Sequence, residues 1–155
     1  MKYIEKIKKT FKKLNPWNYC VPTIIQMEAT ECGAACLAMI CAYYKKYVPL
    51  EEMRVACGVS RDGSRLQNII KAADRYGFFS IMKSVQELDR LKDIPLPAIL
   101  HWNMSHFVVL EKIKGNKYYL NDPAYGHRVV TREEMDLYFT GVVLILTPDF
   151  GFEPG

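Results

Sequence analysis

The sequence predicts an α+β domain in which helices come first and an antiparallel sheet follows. Up to about residue 76 the apolar residues recur at three- and four-residue steps, the spacing of one helix face. From Leu96 onward they form short runs, one of them rich in valine, separated by turn residues, which is typical of strands. The chain has 155 residues and 50% of them are hydrophobic, so it is long enough for one domain with a substantial core.

Composition narrows the functional classes. The net charge of +4 comes largely from lysines before residue 14, so we predict no nucleic-acid partner. The lysine-rich start lacks the apolar segment of a secretory signal, and the 5 cysteines are therefore expected to be reduced thiols in the cytosol. No run reaches the ~18 apolar residues of a membrane span.

Three parts of the chain are expected to differ in role. Residues 1–18 are predicted to be an amphipathic helix over 1–14 and a connector, with an apolar stripe of Ile4, Ile7, Phe11 and Leu14. Such a helix can cover the domain's own surface, dock on a partner or lie on a membrane. The domain itself is expected at 19–148, and residues 149–155 have the character of a linker or a cut end.

The stretch at 26–41 carries the first half of a candidate catalytic site. Loop-like residues give way to an apolar helix at about Cys32, with Thr30 as the expected N-cap. In a first helical turn the free N–H groups and the helix dipole favour a thiolate, and the Gln26 amide can fold back beside the sulfur. This pattern indicates a cysteine-peptidase nucleophile with an oxyanion donor. The alternative is a buried core cysteine, the role expected for Cys36 and Cys41.

The remaining elements follow from turn residues and periodicity. Further helical segments are expected at 49–57, from the turn at 61–64 to about Tyr76, at 86–92, and from a capping box at Thr131 and Glu134 to about Phe139. Strands are expected at 78–84, 96–102, 106–113, 117–121, 128–131 and 142–146, with a loop at 124–127. Gly58, Gly77 and Gly141 are expected to end elements.

A catalytic cysteine needs a base and the base needs an orienting group. His106 opens an apolar strand, and reversing that strand at Gly115 brings Asp122 within one to three residues of being opposite His106. Asp122 can then accept from one imidazole nitrogen while the other faces the thiol. Asn-Asp-Pro is also a good turn sequence, which gives Asp122 an alternative, purely structural role.

The other two histidines have simpler interpretations. His101 is expected to be a strand-end residue packed against Trp102, and His127 a loop residue at the surface. A zinc site built from Cys32, Cys36 and two histidines is disfavoured, because the chain has no C-x-x-C pair and Cys36 is buried by pattern. We therefore predict neither a metal nor a cofactor in this domain.

With Gln26, Cys32, His106 and Asp122 in that order, the chain resembles the N-terminal peptidase domain of bacteriocin-processing ABC transporters, which are papain-like cysteine peptidases. The resemblance covers most of residues 20–147. Its matching blocks are VPTIIQMEATECGAACLAMI at 21–40, DGSRLQNIIKAADRYGF at 62–78, LPAILHWNMSHFVVLEKI at 96–113 and YYLNDPAYG at 118–126. The first block looks most like transporters that handle lanthipeptide or nitrile-hydratase-type leaders.

This resemblance implies a papain-like fold and a substrate class. Family members remove a leader peptide after Gly-Gly or Gly-Ala during export, and the leader binds as an amphipathic helix in a hydrophobic surface groove. Small residues before the scissile bond suit a narrow cleft over Cys32, and Trp102 is a candidate wall of that cleft, with a core position as the equal alternative. The resemblance also implies transmembrane and ATP-binding domains as partners on the cytoplasmic side of a bacterial membrane. This chain is then either an excised, soluble part or a stand-alone domain, and we favour the first.

Two other functional classes stay open from the sequence. One is a catalytically silent leader-binding domain, known among related transporters that lose the cysteine. The other is a different papain-like acyl-transfer enzyme, such as a transglutaminase or an amidase. Incubation with a Gly-Gly leader peptide, followed by mass analysis of the products, separates all three.

Overall fold

A computed structural model describes residues 21–59 and 65–155. The predicted helix at 1–14 and the predicted turn at 61–64 lie outside the described residues. The helices are α1 (Cys32–Tyr43), α2 (Leu50–Ala56), α3 (Leu66–Arg75) and α4 (Arg132–Tyr138), with short 3-10 helices at Ala29–Glu31 and Leu88–Asp93. The strands are β1 (Phe78–Ser84), β2 (Ala98–Trp102), β3 (His106–Lys114), β4 (Lys117–Asp122), β5 (Gly126–Thr131) and β6 (Phe139–Pro148).

This architecture confirms the predicted α+β class. The six strands form one sheet in the order β1-β6-β2-β3-β4-β5, and every neighbouring pair is antiparallel. Side chains alternate between the two faces of each strand, so the sheet separates two apolar clusters. Ile99 and Val109 face the cluster that contains α1, whereas Leu100 and Val108 face the cluster that contains Met135 of α4.

Helix α1 lies at the centre of the first cluster, and all twelve of its residues are buried. It packs on β3 and against α2 and α3, so it has no polar face. The predicted apolar stripe ends at Tyr43, because Tyr47 lies beyond the helix and is 64% exposed. The predicted cap at Thr30 is wrong. Thr30 lies inside the 3-10 helix, and Glu31 is the residue that precedes α1.

Two strand boundaries also differ from prediction. Strand β5 begins at Gly126, so the predicted loop at 124–127 is shorter and His127 lies within a strand. Strand β6 begins at Phe139 and runs through Gly141, although Gly141 was expected to end the preceding helix. Gly141 has φ +99°, and a Cβ there would lie 3.1 Å from the Val85 carbonyl oxygen. The glycine therefore permits a close backbone approach within the sheet rather than ending an element.

The residues after β6 pack on the domain. The Phe152 ring lies 5.1 Å from the ring of Phe78 at the start of β1. Gly77 has φ +90°, and a Cβ there would lie 2.7 Å from the Phe152 backbone, so only glycine fits beneath this segment. The Gly155 amide donates to the Lys45 carbonyl at 2.8 Å. Residues 149–155 thus cover the seam between β1 and the end of α1.

Candidate active site

The candidate nucleophile lies where the sequence predicts it. Cys32 is the first residue of α1 and is 5% exposed. The amides at a helix start have no partner within the helix, and their dipole favours negative charge on the sulfur. Cys36, one turn further on, is completely buried, and burial raises the pKa of its thiol well above the ordinary value. Position within the helix therefore separates the two thiols chemically.

His106 and Asp122 are brought together by the β3–β4 hairpin. Val109 pairs with Asn121, which leaves Asp122 two residues from being opposite His106, within the predicted range. The Nε2 atom of His106 lies 2.7 Å from Oδ1 of Asp122. Because this contact occupies Nε2, Nδ1 is left for the Cys32 thiol, to which the imidazole is also hydrogen-bonded. The three groups form a connected nucleophile, base and orienting carboxylate.

The charges around His106 favour its protonated form. Burial lowers the pKa of His106, but hydrogen bonds to Asp122 and Cys32 and the charges of both outweigh it and raise the pKa to about 9. At neutral pH the imidazole is therefore an imidazolium beside the sulfur. The sulfur of the candidate nucleophile therefore faces a cationic partner.

Asp122 is held by three donors. Besides His106, its side chain accepts from the Ala124 amide at 2.9 Å and from Nη1 of Arg128 at 3.3 Å. Burial raises the pKa of Asp122, but these hydrogen bonds and the charges of His106 and Arg128 lower it overall. Sequence reasoning missed Arg128, because its contact crosses from β5 to the end of β4 and leaves no local pattern.

Gln26 is tied to the hairpin through its backbone. Its amide donates to the Pro123 carbonyl at 2.8 Å, so the residue after Asp122 holds the loop that leads to Cys32. Its side chain is half-buried, and Oε1 is buried without a hydrogen-bond partner in the described part of the chain. Because Oε1 only accepts hydrogen bonds, this observation does not concern the Nε2 donor, and the oxyanion role of Gln26 stays a prediction.

Glu31 is a further residue of the site that sequence reasoning missed. Its carboxylate is 1% exposed and accepts from the amides of Met27 at 2.7 Å and Glu28 at 3.2 Å. Its other oxygen lies 2.8 Å from Nε of Arg54 on α2. An acidic residue directly before a helix usually predicts an N-cap that faces water, so the sequence did not indicate that the Glu31 carboxylate is buried.

Known protein families provide a second line of evidence. The Peptidase C39 family profile matches residues 20–151, which is most of the chain and includes all the groups above. The chain belongs to the Peptidase C39 family.

Relatives and solved structures agree with this membership. The chain is 45% identical over 137 residues to the colicin V secretion/processing ATP-binding protein CvaB of Escherichia coli, covering 88% of this chain and 20% of CvaB. It is 34% identical over 136 residues to the lactococcin-G-processing and transport ATP-binding protein LagD of Lactococcus lactis subsp. lactis, covering 84% of this chain and 19% of LagD. The chain thus spans about a fifth of the length of these relatives.

A crystal structure of a double glycine motif protease from an AMS/PCAT transporter, in complex with the leader peptide, matches with a TM-score of 0.80 and 52% identity. The match covers 85% of this chain and 95% of that one. The peptidase domain of Streptococcus ComA matches with a TM-score of 0.78 at 21% identity, covering 85% of this chain and 100% of that one. The fold is therefore the papain-like fold of C39 peptidase domains.

In this C39 domain the two other histidines contact different partners. His101 lies on β2, its Nδ1 is 2.9 Å from Oγ1 of Thr140, and its ring packs near Phe107 rather than Trp102. Neighbouring residues of a strand point to opposite faces of the sheet, which explains why the predicted packing of His101 against Trp102 is wrong. His127 is also not a surface loop residue, since it lies on β5 with Nδ1 3.2 Å from Oε1 of the buried Glu111.

Trp102 lies beside the site but has little free surface. It pairs with His106 across β2 and β3, yet it is 5% exposed and belongs to the cluster on the sheet face away from α1. Its ring lies 5.7 Å from that of Tyr138. The structure therefore places the Trp102 side chain mainly in the core, and its role as a cleft wall stays a prediction.

A cavity of about 520 Å³ opens beside the start of β3, and Arg65 and His101 contribute polar groups to its lining. Its lining includes Leu66 of α3, Met82 of β1 and Phe107 of β3, together with Met104 and Ser105 just before His106. Met104 is 77% exposed and has φ +64°, a conformation that costs a non-glycine residue about 1 kcal/mol or more. An exposed apolar side chain thus borders the cavity.

Residues 21–59 and 65–155 hold no group of three His, Cys, Asp or Glu side chains arranged to bind a metal ion. They also contain no helix with the length and apolar character to cross a bilayer.

Proposed function

We propose that this domain is a cysteine endopeptidase that cleaves the leader from a ribosomally made precursor peptide after Gly-Gly or Gly-Ala. The observation that carries the proposal is the connected set of Cys32, His106 and Asp122, with the 2.7 Å contact between His106 and Asp122. The 52% identity to a double glycine motif protease in complex with its leader peptide supports the substrate class.

In the proposed reaction the Cys32 thiolate attacks the backbone carbonyl carbon of the leader's last residue, a glycine or an alanine. The carbonyl electron pair moves to the oxygen, where the Cys32 amide and the Gln26 side-chain amide stabilise the charge. As the C–N bond breaks, the His106 imidazolium gives its proton to the leaving amine, and the leader remains on sulfur as a thioester. Neutral His106 then takes a proton from water, whose oxygen displaces the thiolate and releases the leader with a free carboxylate.

Asp122 is proposed to orient the imidazole and to stabilise the imidazolium throughout. Its three donors keep the carboxylate ionised and leave it little freedom to turn. All groups that this sequence of steps needs are side chains or amides of the chain. We therefore propose that the domain works without a metal or cofactor of its own.

The leader is proposed to bind as an amphipathic helix whose apolar side chains enter the cavity near Met82 and Met104. Both methionines are largely exposed, at 59% and 77%, and flexible thioethers adapt well to varied apolar partners. The cavity lining includes Ser105, the residue directly before His106, so a leader helix seated there is proposed to direct its last residues toward Cys32. Binding and cleavage would then depend on separate parts of the leader.

The setting is proposed by analogy with the relatives. CvaB and LagD are named as secretion or transport and processing ATP-binding proteins, and this chain spans about a fifth of their length. We propose that the domain acts beside transmembrane and ATP-binding domains of an ABC transporter, on the cytoplasmic side of the membrane where precursor peptides are made.

The test is incubation with a precursor peptide whose leader ends in Gly-Gly, followed by mass analysis. The expected products are the free leader and the mature peptide, and a leader whose final glycine is replaced by valine should bind with similar affinity but stay uncut. The Cys32→Ala protein is the control. Binding without cleavage by the parent would indicate a silent leader-binding domain, and an amide-transfer product would indicate a different acyl-transfer enzyme.

A further inference from the structure

We propose that Glu31 is a positioning residue for this reaction. Its buried carboxylate fixes the loop that carries Gln26 relative to Cys32, and Arg54 holds that carboxylate in place. The inference rests on the proposed function, because it concerns the oxyanion donor of the same cleavage. Glu31 does not touch the reacting atoms and acts through Gln26.

The contacts of Glu31 span the whole loop. Met27 directly follows Gln26, and Glu31 directly precedes Cys32, so the 2.7 Å bond from the Met27 amide to Oε2 joins the two catalytic positions. The Glu28 amide donates to the same oxygen at 3.2 Å. The Glu31 amide in turn donates to the Glu28 carbonyl at 3.1 Å, which closes the loop on itself.

Gln26 is consequently held from two sides. The Pro123 carbonyl accepts its amide at 2.8 Å on the hairpin side, and the Glu31 carboxylate fixes the next residue on the helix side. An oxyanion donor is effective only when it is already in place before charge develops. Losing one of two restraints would leave Gln26 present but displaced, and a displacement of about 1 Å can cost roughly 100-fold in rate.

The chemistry of the contacts requires a carboxylate. Two backbone amides donate to one oxygen of Glu31, and the Arg54 guanidinium forms an ion pair with the other oxygen, so an ionised carboxylate, which only accepts, suits both. A glutamine would turn its NH₂ group toward either the amides or Arg54, so one set of contacts would be lost. Arg54 also offsets the buried negative charge of Glu31, the residue directly before the nucleophile Cys32.

The experiment is a double-mutant cycle between Glu31 and Gln26, read as single-turnover cleavage of a Gly-Gly leader peptide beside a leader-binding titration. Glu31→Gln should slow the chemical step about 10–100-fold while the leader Kd changes less than about threefold. In the Gln26→Ala background the same substitution should cost less than about threefold more, because the group it positions is already gone. Glu51→Gln, an exposed carboxamide swap on α2, is the matched control.

Arg54 supplies a second variant that does not depend on the fate of Glu31→Gln. The Arg54 side chain is 43% exposed, so its replacement leaves room for water and should preserve folding, which thermal unfolding checks. Arg54→Gln should slow the chemical step several-fold without weakening leader binding, Arg54→Lys should retain more of the rate, and the Gln26→Ala background should again remove the effect.

The outcomes separate this inference from the proposed function. Losses that multiply in the Gln26→Ala background, or that appear mainly in leader Kd, would overturn the positioning role while leaving the peptidase intact. A Gln26→Ala protein within a few-fold of the parent rate would overturn both the oxyanion role of Gln26 and the role of Glu31. A parent chain that does not cut the leader overturns the function itself.

Discussion

The two halves of the candidate site hold their groups by different means. The helix half, residues 26–32, is a short loop closed on one buried side chain, Glu31, before α1 begins. The hairpin half, residues 106–122, is fixed by the backbone ladder between β3 and β4. A ladder shares its restraint among many hydrogen bonds, whereas the loop depends on the Glu31 carboxylate and a few backbone hydrogen bonds, among them the one from Gln26 to Pro123. Substitutions outside the reacting groups should therefore disturb the helix half more easily.

The largest expected effect lies at the nucleophile of the helix half. Cys32→Ala should abolish cleavage, whereas Cys36→Ala should leave most of it, because Cys36 is fully buried with a pKa raised by burial. Iodoacetamide at neutral pH should label Cys32 ahead of Cys36, Cys41 and Cys57, since access and thiolate fraction control the rate. Product analysis by mass and peptide mapping of the label check both statements. Sustained turnover by Cys32→Ala would assign the chemistry to another group.

The corresponding test of the hairpin half compares its base with a nearby histidine. His106→Ala should cost about 100–10,000-fold in rate, since it removes the proton donor and acceptor. Asp122→Asn should cost less, because the imidazole remains and only its orientation and charge are disturbed. His101→Ala is the comparison. His101 lines the cavity proposed for the leader and contacts Thr140, so its loss should affect leader binding more than the chemical step. If His101→Ala slows the chemical step as much as His106→Ala in a folded protein, His106 is not the base.

A smaller loss is expected at the oxyanion donor. Gln26→Ala should slow the chemical step ~100–1,000-fold with nearly unchanged leader affinity, because the donor acts on charge that exists only in the transition state. Gln26→Glu should be at least as harmful, since it brings a negative charge to the oxyanion. Single-turnover rates beside a binding titration measure both effects. A large change in leader affinity would show that Gln26 contacts the ground state as well.

The pH dependence links the two halves. Because the pKa of His106 is raised to about 9, the imidazolium is present below that pH and is lost above it. The rate constant for acylation should therefore fall as pH rises through about 9, by about tenfold one pH unit higher. Asp122→Asn should move this fall to lower pH, since it removes contacts that raise the His106 pKa. The profile of kcat/KM against pH measures this, and an unmoved limb in Asp122→Asn would contradict the assignment.

The same shift affects stability in a defined window. A histidine whose folded pKa lies above its ordinary value of 6.5 stabilises the fold fully below pH 6.5, and the contribution is lost as pH rises toward about 9.

The smallest effect is expected at Arg128. Arg128→Gln should change the rate only a few-fold at neutral pH, because His106 and the Ala124 amide still hold Asp122. Removing the guanidinium charge should raise the pKa of Asp122, so the loss of activity on the acidic side should begin at higher pH than in the parent. Rate profiles below neutral pH provide the measurement. Coinciding acidic limbs would mean that Arg128 does not influence the carboxylate.

The two halves also differ in how far sequence could predict them. The turn at Gly115 determines the register to within the one-residue shift between Leu110 and Lys112, so the proximity of His106 and Asp122 followed from counting residues. The start of α1 at Cys32 was visible from apolar periodicity. The structure of the loop before α1 could not be predicted, because Glu31 pairs with Arg54 on α2, and no spacing rule connects residues 31 and 54.

Two other incorrect predictions have the same cause. Gly141 was expected to end the preceding helix, as glycine often does, but in β6 it makes room for the Val85 carbonyl. The strand that contains His127 depends on pairing with β4, where Asn121 faces His127 across the ladder. Contacts between segments distant in sequence decide both cases, and a single sequence does not display them.

The position of residues 149–155 has a practical consequence for handling the protein. Gly155 lies against Lys45, just beyond one end of α1, and Cys32 begins the other end. Twelve helical residues separate these ends by about 18 Å. A resin, dye or surface linker attached at Gly155 therefore starts on the opposite side of the domain from the sulfur and leaves the route to it open.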